Sequence, residues 1–171
     1  VLYIITLNEV VEFIHNPLSY KQNLVSLIND RGMQIPLNHS SELYDDEPKT
    51  IKIEGMERYS KAILDKCREL ANEYDHHGPV TCHAFIAQEN SPSFDIHTDP
   101  DDVIIVCCEG KKTMTVDGAY IVLEAGEHVH IPANTPHQAL NEHAALTLSF
   151  GLENYLKDKS HNELDVLPKD D

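Results

Sequence analysis

A mainly β fold, an antiparallel jelly roll with N-terminal α-helices packed on the barrel, is what this sequence predicts, and three observations predict it. Apolar residues recur at helical spacing in the first part of the chain, most clearly from Met56 to Tyr74. After Pro79 the period shortens to that of strands, in short runs separated by turn signals such as ENSP, EG, DG, EAGE and PANTP. The chain has 171 residues, about the size of one domain, which is enough to bury a core without disulfides or a structural zinc.

Taken in order, Asn8 is expected to cap a short helix over Glu9 to His15. Ser19 is expected to cap a second, in which Tyr20, Leu24, Leu27 and Ile28 share a face and Gly32 marks the stop. Residues 33 to 55, with Pro36, Pro48, Gly55 and an acidic run at 45 to 47, read as a connecting loop. A third helix runs from 56 to 77, where Met56, Tyr59, Ile63, Cys67, Leu70 and Tyr74 form a stripe that Gly78 and Pro79 end. Strands are expected near 80–88, 93–98, 102–108, 111–117, 119–123, 128–131, 136–141 and 144–150. The organisation is thus a helical region over 1–78, a barrel over 79–156, and a polar tail over 157–171 expected to be poorly ordered. The long helix is expected to cover one sheet; the first two helices would either do the same or form a two-fold contact in a homodimer.

Composition narrows the function. Thirteen Lys and Arg stand against 29 Asp and Glu, for a formal charge of −16, which repels phosphate backbones and anionic lipid heads. Neither nucleic acid nor a membrane surface is therefore an expected partner. No run reaches the roughly 18 apolar residues of a membrane span, and the opening residues lack a basic start and a small-residue cleavage site, so a cytoplasmic location is expected. The chain begins with Val rather than Met, which leaves a processed start open. Cys67, Cys82, Cys107 and Cys108 show no CxxC spacing, and the adjacent pair lies in an apolar run, as small buried hydrophobes do.

Three residues carry the chemistry. His97 and Asp99 are two apart at the expected entrance to a strand, which would direct both to one face. His137 lies in PANTPHQALN at the start of another expected strand. Two imidazoles and one carboxylate can occupy one face of an octahedron and leave three positions open, as redox metal sites require and closed structural sites do not.

The stretch Gly126 to Asn141, GEHVHIPANTPHQALN, resembles the second motif of the cupin superfamily at Gly126, Pro132, His137 and Asn141. Asn134 stands where a second Gly is usual, and Asn tolerates the left-handed conformation that such a turn needs. The first cupin motif differs: HTD replaces HxH, and no Glu occupies the matching ligand position. That HxD with a distant His is similar to the JmjC-type and related cupin-like oxygenases that use Fe(II) and 2-oxoglutarate. The likeness extends through SFDIHTDPDDVIIVCCEGKKTMTV, with Gly110 and with Lys112 fifteen residues after His97, and it covers about residues 80 to 152. It implies a double-stranded β-helix in which His97, Asp99 and His137 hold Fe(II) and Lys112 pairs with the far carboxylate of 2-oxoglutarate. It further implies that the co-substrate is decarboxylated while a substrate carbon is hydroxylated.

Lys112 has its own physical argument. In the strand 111–117, Lys112, Met114 and Val116 share the apolar face, so the lysine is directed inward and needs an anion. The alternative is that it starts the strand at the rim, snorkels to water and binds nothing. Ser93, Thr147 and Ser149 flank the expected site, where Ser93 and Thr147 are candidates to hydrogen-bond the co-substrate. His83, in TCHAF, could point into the barrel and replace a ligand. His128 and His130 share a face, and His76 and His77 sit at a helix end where positive charge suits the dipole; all four read as structural.

Only 37 residues separate Asp99 from His137, which leaves little room for an insert that would build a peptide groove. A small molecule or a short exposed peptide is thus as good a substrate as a folded protein. Two other functions stay open: a cupin dioxygenase or isomerase that uses its metal without 2-oxoglutarate, and a non-catalytic cupin that binds an anionic ligand.

Overall fold

The structure is a computed structural model and describes residues 4–154; the polar tail from residue 157 lies outside them. Helix α1 (Leu7–Ile14) is capped by Thr6, not Asn8, through a capping box in which Thr6 Oγ1 accepts from Glu9 N and Glu9 accepts from Thr6 N. The Thr-x-x-Glu spacing outranks an isolated Asn because it satisfies two orphan donors at once. Val10, Phe13 and Ile14 form its buried face.

The expected helix from Ser19 to Ile28 is instead a single turn and a strand. Asn16 caps α2 (Pro17–Lys21), with Pro17 in the first turn, and Asn23 at φ 57° breaks it. Strand β1 (Val25–Ile28) then pairs antiparallel with β2 (Gln34–Pro36) and with β3 (Thr50–Ile53). Leu24, Leu27 and Ile28 satisfy a helical stripe by spacing alone, and pairing on both sides of β1 overrides it. The stretch read as a loop over 33–55 accordingly contains two strands and a 3-10 turn at Ser40–Leu43.

The helix expected over 56–77 is broken at Ser60. Its extended backbone (φ −115°, ψ 122°) separates α3 (Met56–Tyr59) from α4 (Lys61–Glu73), and its hydroxyl caps the latter by accepting from Ile63 N. Met56, Ile63, Cys67 and Leu70 still line one buried face.

Strands β4 (Val80–Ala87), β5 (Asp102–Val116), β6 (Ala119–Glu124), β7 (His128–Ile131), β8 (His137–Ala139) and β9 (Ala145–Leu152) build the barrel. The order is β2-β1-β3-β4-β9-β5. The first half of β5 also pairs with β7 and its second half with β6 and β8, all antiparallel. The two strands expected at 102–108 and 111–117 are thus one, and Glu109-Gly110 is a bend within it. A bulge between Cys107 and Glu109 shifts the register against β9, and Gly110 takes φ +76° with its Cα so close that a Cβ would lie 2.0 Å from Ala144 O. The strand expected at 93–98 is a loop, held by an isolated bridge between His97 and His137.

One face of the sheet meets the helices, as expected for the long helix and now also for α1. Val10, Phe13, Ile63, Cys67 and Leu70 pack in one cluster with Cys82, Ala84, Ile104, Leu146, Leu148 and Phe150. All four cysteines are buried free thiols. No helix among the described residues is long and apolar enough to cross a membrane.

Candidate metal centre

Strand alternation divides these residues between two faces. On β4, Cys82 and Ala84 enter the helix-covered core, while Thr81, His83 and Phe85 line a cavity of about 300 Å³ on the other side. Thr50 and Lys52 on β3, Lys112 and Met114 on β5, and Thr147 and Ser149 on β9 line the same cavity, as do Ser93, His97, Asp99 and His137.

One ligand atom from each of His97, Asp99 and His137 lies within 4.8 Å of the others. His137 opens β8 and is buried. His97 and Asp99 come from the loop before β5, not from a strand, so backbone bonds replace strand pairing in fixing them. His97 N donates to His137 O (3.1 Å), His137 N to His97 O (2.9 Å), and Asn134 N to Asp99 O (2.8 Å). Asn134 takes φ 64°, the left-handed conformation expected of the residue that replaces Gly there.

The imidazoles are oriented by their own backbone. His97 Nδ1 donates to Asp95 O (2.8 Å) and His137 Nδ1 to Thr135 O (2.9 Å), which leaves both Nε2 atoms to face the carboxylate. Asp99 Oδ2 lies 3.2 Å from His137 Nε2 and 3.8 Å from His97 Nε2. The His137 contact holds the Asp99 carboxyl below the usual carboxylate range and pushes His137 up.

Lys112 points inward, and it does not snorkel: it is 5 % exposed. Its Nζ donates to Asn141 Oδ1 at 2.8 Å. Among the described residues no carboxylate comes within ion-pair distance of it. Burial lowers its pKa from 10.5 to about 8. Asn141 has work beyond its place in the motif: at φ 53° its Nδ2 donates to Pro92 O (3.1 Å), Ser91 O (3.3 Å) and Thr50 Oγ1 (3.2 Å). It therefore ties the lysine to the loop that leads to His97.

Thr147 is buried in the cavity wall. Ser93 lines the wall too, with its hydroxyl donating to Ala139 O at 2.6 Å, so it retains only acceptor capacity. His83 points into the cavity but is not among the three converging ligand residues. Of the remaining histidines, His130 Nε2 bonds Asp102 Oδ2 (2.8 Å) at the start of β5, a structural contact. His76 and His77 lie beyond α4, which ends at Glu73. The lysine that sequence reasoning missed is Lys52, hidden in the stretch read as loop. The alternation in Thr50-Ile-Lys-Ile53 carried the signal, with Thr50 and Lys52 on one face and both isoleucines on the other.

Residues 84–150 match the protein family described as Cupin domain. No curated protein sequence matches the chain. Among solved structures, YcfD, a ribosomal oxygenase from Escherichia coli, is similar over 96 % of this chain and 48 % of its own, at 14 % identity and a TM-score of 0.69. A second YcfD structure, in complex with cobalt and succinic acid, is similar over 99 % of this chain and 54 % of its own, at 15 % identity and the same TM-score of 0.69. The conserved protein SPY1581 of unknown function from Streptococcus pyogenes is similar over 44 % of this chain and 65 % of its own, at 19 % identity and a TM-score of 0.41. This chain spans about half the length of YcfD. The part of the barrel that gathers His97, Asp99 and His137 is thus the part that matches the Cupin domain family.

Proposed function

We propose that this protein is an Fe(II)- and 2-oxoglutarate-dependent oxygenase that hydroxylates a small molecule or a peptide. The observation that carries the reading is one cavity that holds both a converging His-Asp-His set and a buried lysine that, among the described residues, bonds a neutral amide and no carboxylate.

The donor set fits a divalent ion. Two Nε2 atoms, freed by Nδ1 bonds to backbone carbonyls, and one carboxylate oxygen lie within 4.8 Å of one another and would hold the ion with the two-histidine, one-carboxylate ligand set that iron oxygenases use. The same set accepts Mn, Co, Ni or Zn. Charge supports the co-substrate. Within the triad and its neighbouring lysine, a divalent ion exceeds the Asp99 carboxylate by one positive charge and Lys112 adds another, so these groups by themselves match a dianionic keto acid; Asp101 and Glu153 also line the cavity wall. When bound, the metal and the keto acid would supply oxidative decarboxylation coupled to hydroxylation.

This chain's own residues would do the rest. Lys112 would bind the distal carboxylate with an ammonium already desolvated by the barrel, and Asn141 would hold its direction. Thr147 and Ser93 would border the bound acid. Lys112, Met114 and Thr147 are buried at the inner end of the cavity, which would shield the bound acid from water. YcfD in complex with cobalt and succinic acid is a relative in fold with a transition metal and a dicarboxylic acid, the two kinds of ligand proposed here.

The test is anaerobic addition of Fe(II) and then 2-oxoglutarate to the apoprotein. The weak visible charge-transfer band of a chelated keto acid should appear in wild type and should need far more keto acid in Lys112→Ala. Iron binding with no band at saturating keto acid would end this reading. A cupin isomerase, another dioxygenase or a ligand-binding cupin would then take its place.

A further inference from the structure

The cavity contains a second polar cluster that neither the triad nor Lys112 uses. Lys52 on β3 and His83 on β4 line it from neighbouring strands. The Lys52 side chain is 13 % exposed and its Nζ lies 3.4 Å from Glu54 and 3.0 Å from Gln34 Oε1. An ammonium has three donors, so one is left for a ligand. The Phe94 and Phe85 rings lie 5.6 Å and 6.0 Å from that ammonium. They meet edge to face at 6.3 Å, and Phe94 stands edge-on to His97 at 6.1 Å. An aromatic wall therefore runs from Lys52 to a residue of the triad.

His83 Nδ1 is buried with no partner. An orphaned buried N–H is rarer than an orphaned acceptor, so the proton of the neutral ring is assigned to Nε2. Burial, reinforced by Lys52, lowers the ring below the usual imidazole value, which favours the neutral form. The cluster thus offers donors, yet its formal charge is already balanced, since Glu54 cancels Lys52. A substrate carboxylate would bring an uncompensated charge into the cavity, which costs more than its hydrogen bonds return.

From the juxtaposition of Lys52, His83 and the two phenylalanines, we propose a subsite for a carbonyl oxygen on an uncharged substrate, an amide or ketone whose planar apolar body lies against Phe85 and Phe94. This deepens the oxygenase reading and rests on it only for the word substrate.

The test uses the full chain loaded with Zn(II), which cannot turn over, and saturating 2-oxoglutarate. Phenylacetamide and phenylacetate are titrated by calorimetry. The amide should bind about tenfold or more tighter than the acid, and His83→Phe and Lys52→Met should each weaken it about tenfold, as the loss of a buried hydrogen bond does. Glu54→Gln, which leaves the Lys52 charge unbalanced, should narrow or reverse the preference. Equal or tighter binding of the acid to wild type would overturn the subsite, as would variants that keep wild-type affinity with zinc binding and melting temperature intact. The two readings fail separately. If 2-oxoglutarate does not bind but the amide preference survives in the metal-free wild type, where Lys112 balances Asp99, the subsite stands and the oxygenase falls; if 2-oxoglutarate binds and no preference appears, the reverse holds.

Discussion

Replacing Lys112 by Met isolates the cost of burying one ammonium. Burial lowers the lysine from 10.5 to about 8, and at 1.36 kcal/mol per unit this penalises the folded state by about 3 kcal/mol wherever the lysine is charged in both states. Met fills a similar volume without that penalty, but leaves Asn141 Oδ1 without its 2.8 Å donor, a loss of about 1–3 kcal/mol. Near neutral pH the variant should therefore equal the wild type or exceed it by up to about 2 kcal/mol. The pH dependence is the sharper signal. Between about pH 8 and pH 10.5 the unfolded chain still holds the lysine proton while the folded chain releases it, so wild-type stability rises with pH in that window. The advantage of Lys112→Met should fall by about 3 kcal/mol across it, as the penalty disappears from the wild type. Urea unfolding of both proteins across that range measures the difference, in which every other titrating group cancels. A difference that stays flat with pH would show that the ammonium is not desolvated in the folded protein, and the anion-site argument would lose its physical basis.

Other consequences follow from the same geometry. Zinc or cobalt at about a hundred times its dissociation constant should stabilise the wild type by about 2.7 kcal/mol, and Asp99→Ala should abolish that shift in a thermal melt; equal shifts in both would place the metal elsewhere. Gly110→Ala puts a Cβ 2.0 Å from Ala144 O at φ +76°, and should cost at least about 2 kcal/mol in urea unfolding. Ser60→Ala removes the cap on Ile63 N and should cost about 1 kcal/mol; no loss would mean that the break between α3 and α4 is held by packing alone.

What the sequence made legible and what it hid divide along one physical line, between local chemistry and non-local pairing. The triad could be read because His97 and Asp99 are sequence neighbours and His137 sits in a turn motif whose Asn134 announces a left-handed residue. Lys112 could be placed inward because the two-residue period of a strand puts it on the face of Met114, even though β5 is buried on both faces and Thr113 between them is buried too. The failures lie where pairing decides. Val25–Ile28 is a strand only because β2 and β3 flank it, and no local signal separates its stripe from a helical one. Glu109-Gly110 looks like a turn, but β9 and β6 extend pairing to both sides of it, so the glycine bends a long strand instead of ending a short one. That bend matters for the site. It shifts register at Cys108, and only past it do Lys112 and Met114 face the cavity that Val103 and Ile105 enter from the other end. Misreading 33–55 as loop had the largest functional consequence, since it concealed β3 and with it Lys52. A loop lysine is expected in solvent; the same residue on a paired strand, two positions from Thr50, becomes a cation within the cavity wall. The site is therefore larger than its motifs: His97, Asp99 and His137 lie within the stretch that matches the Cupin domain family, and the wall facing them is supplied by a strand that precedes it.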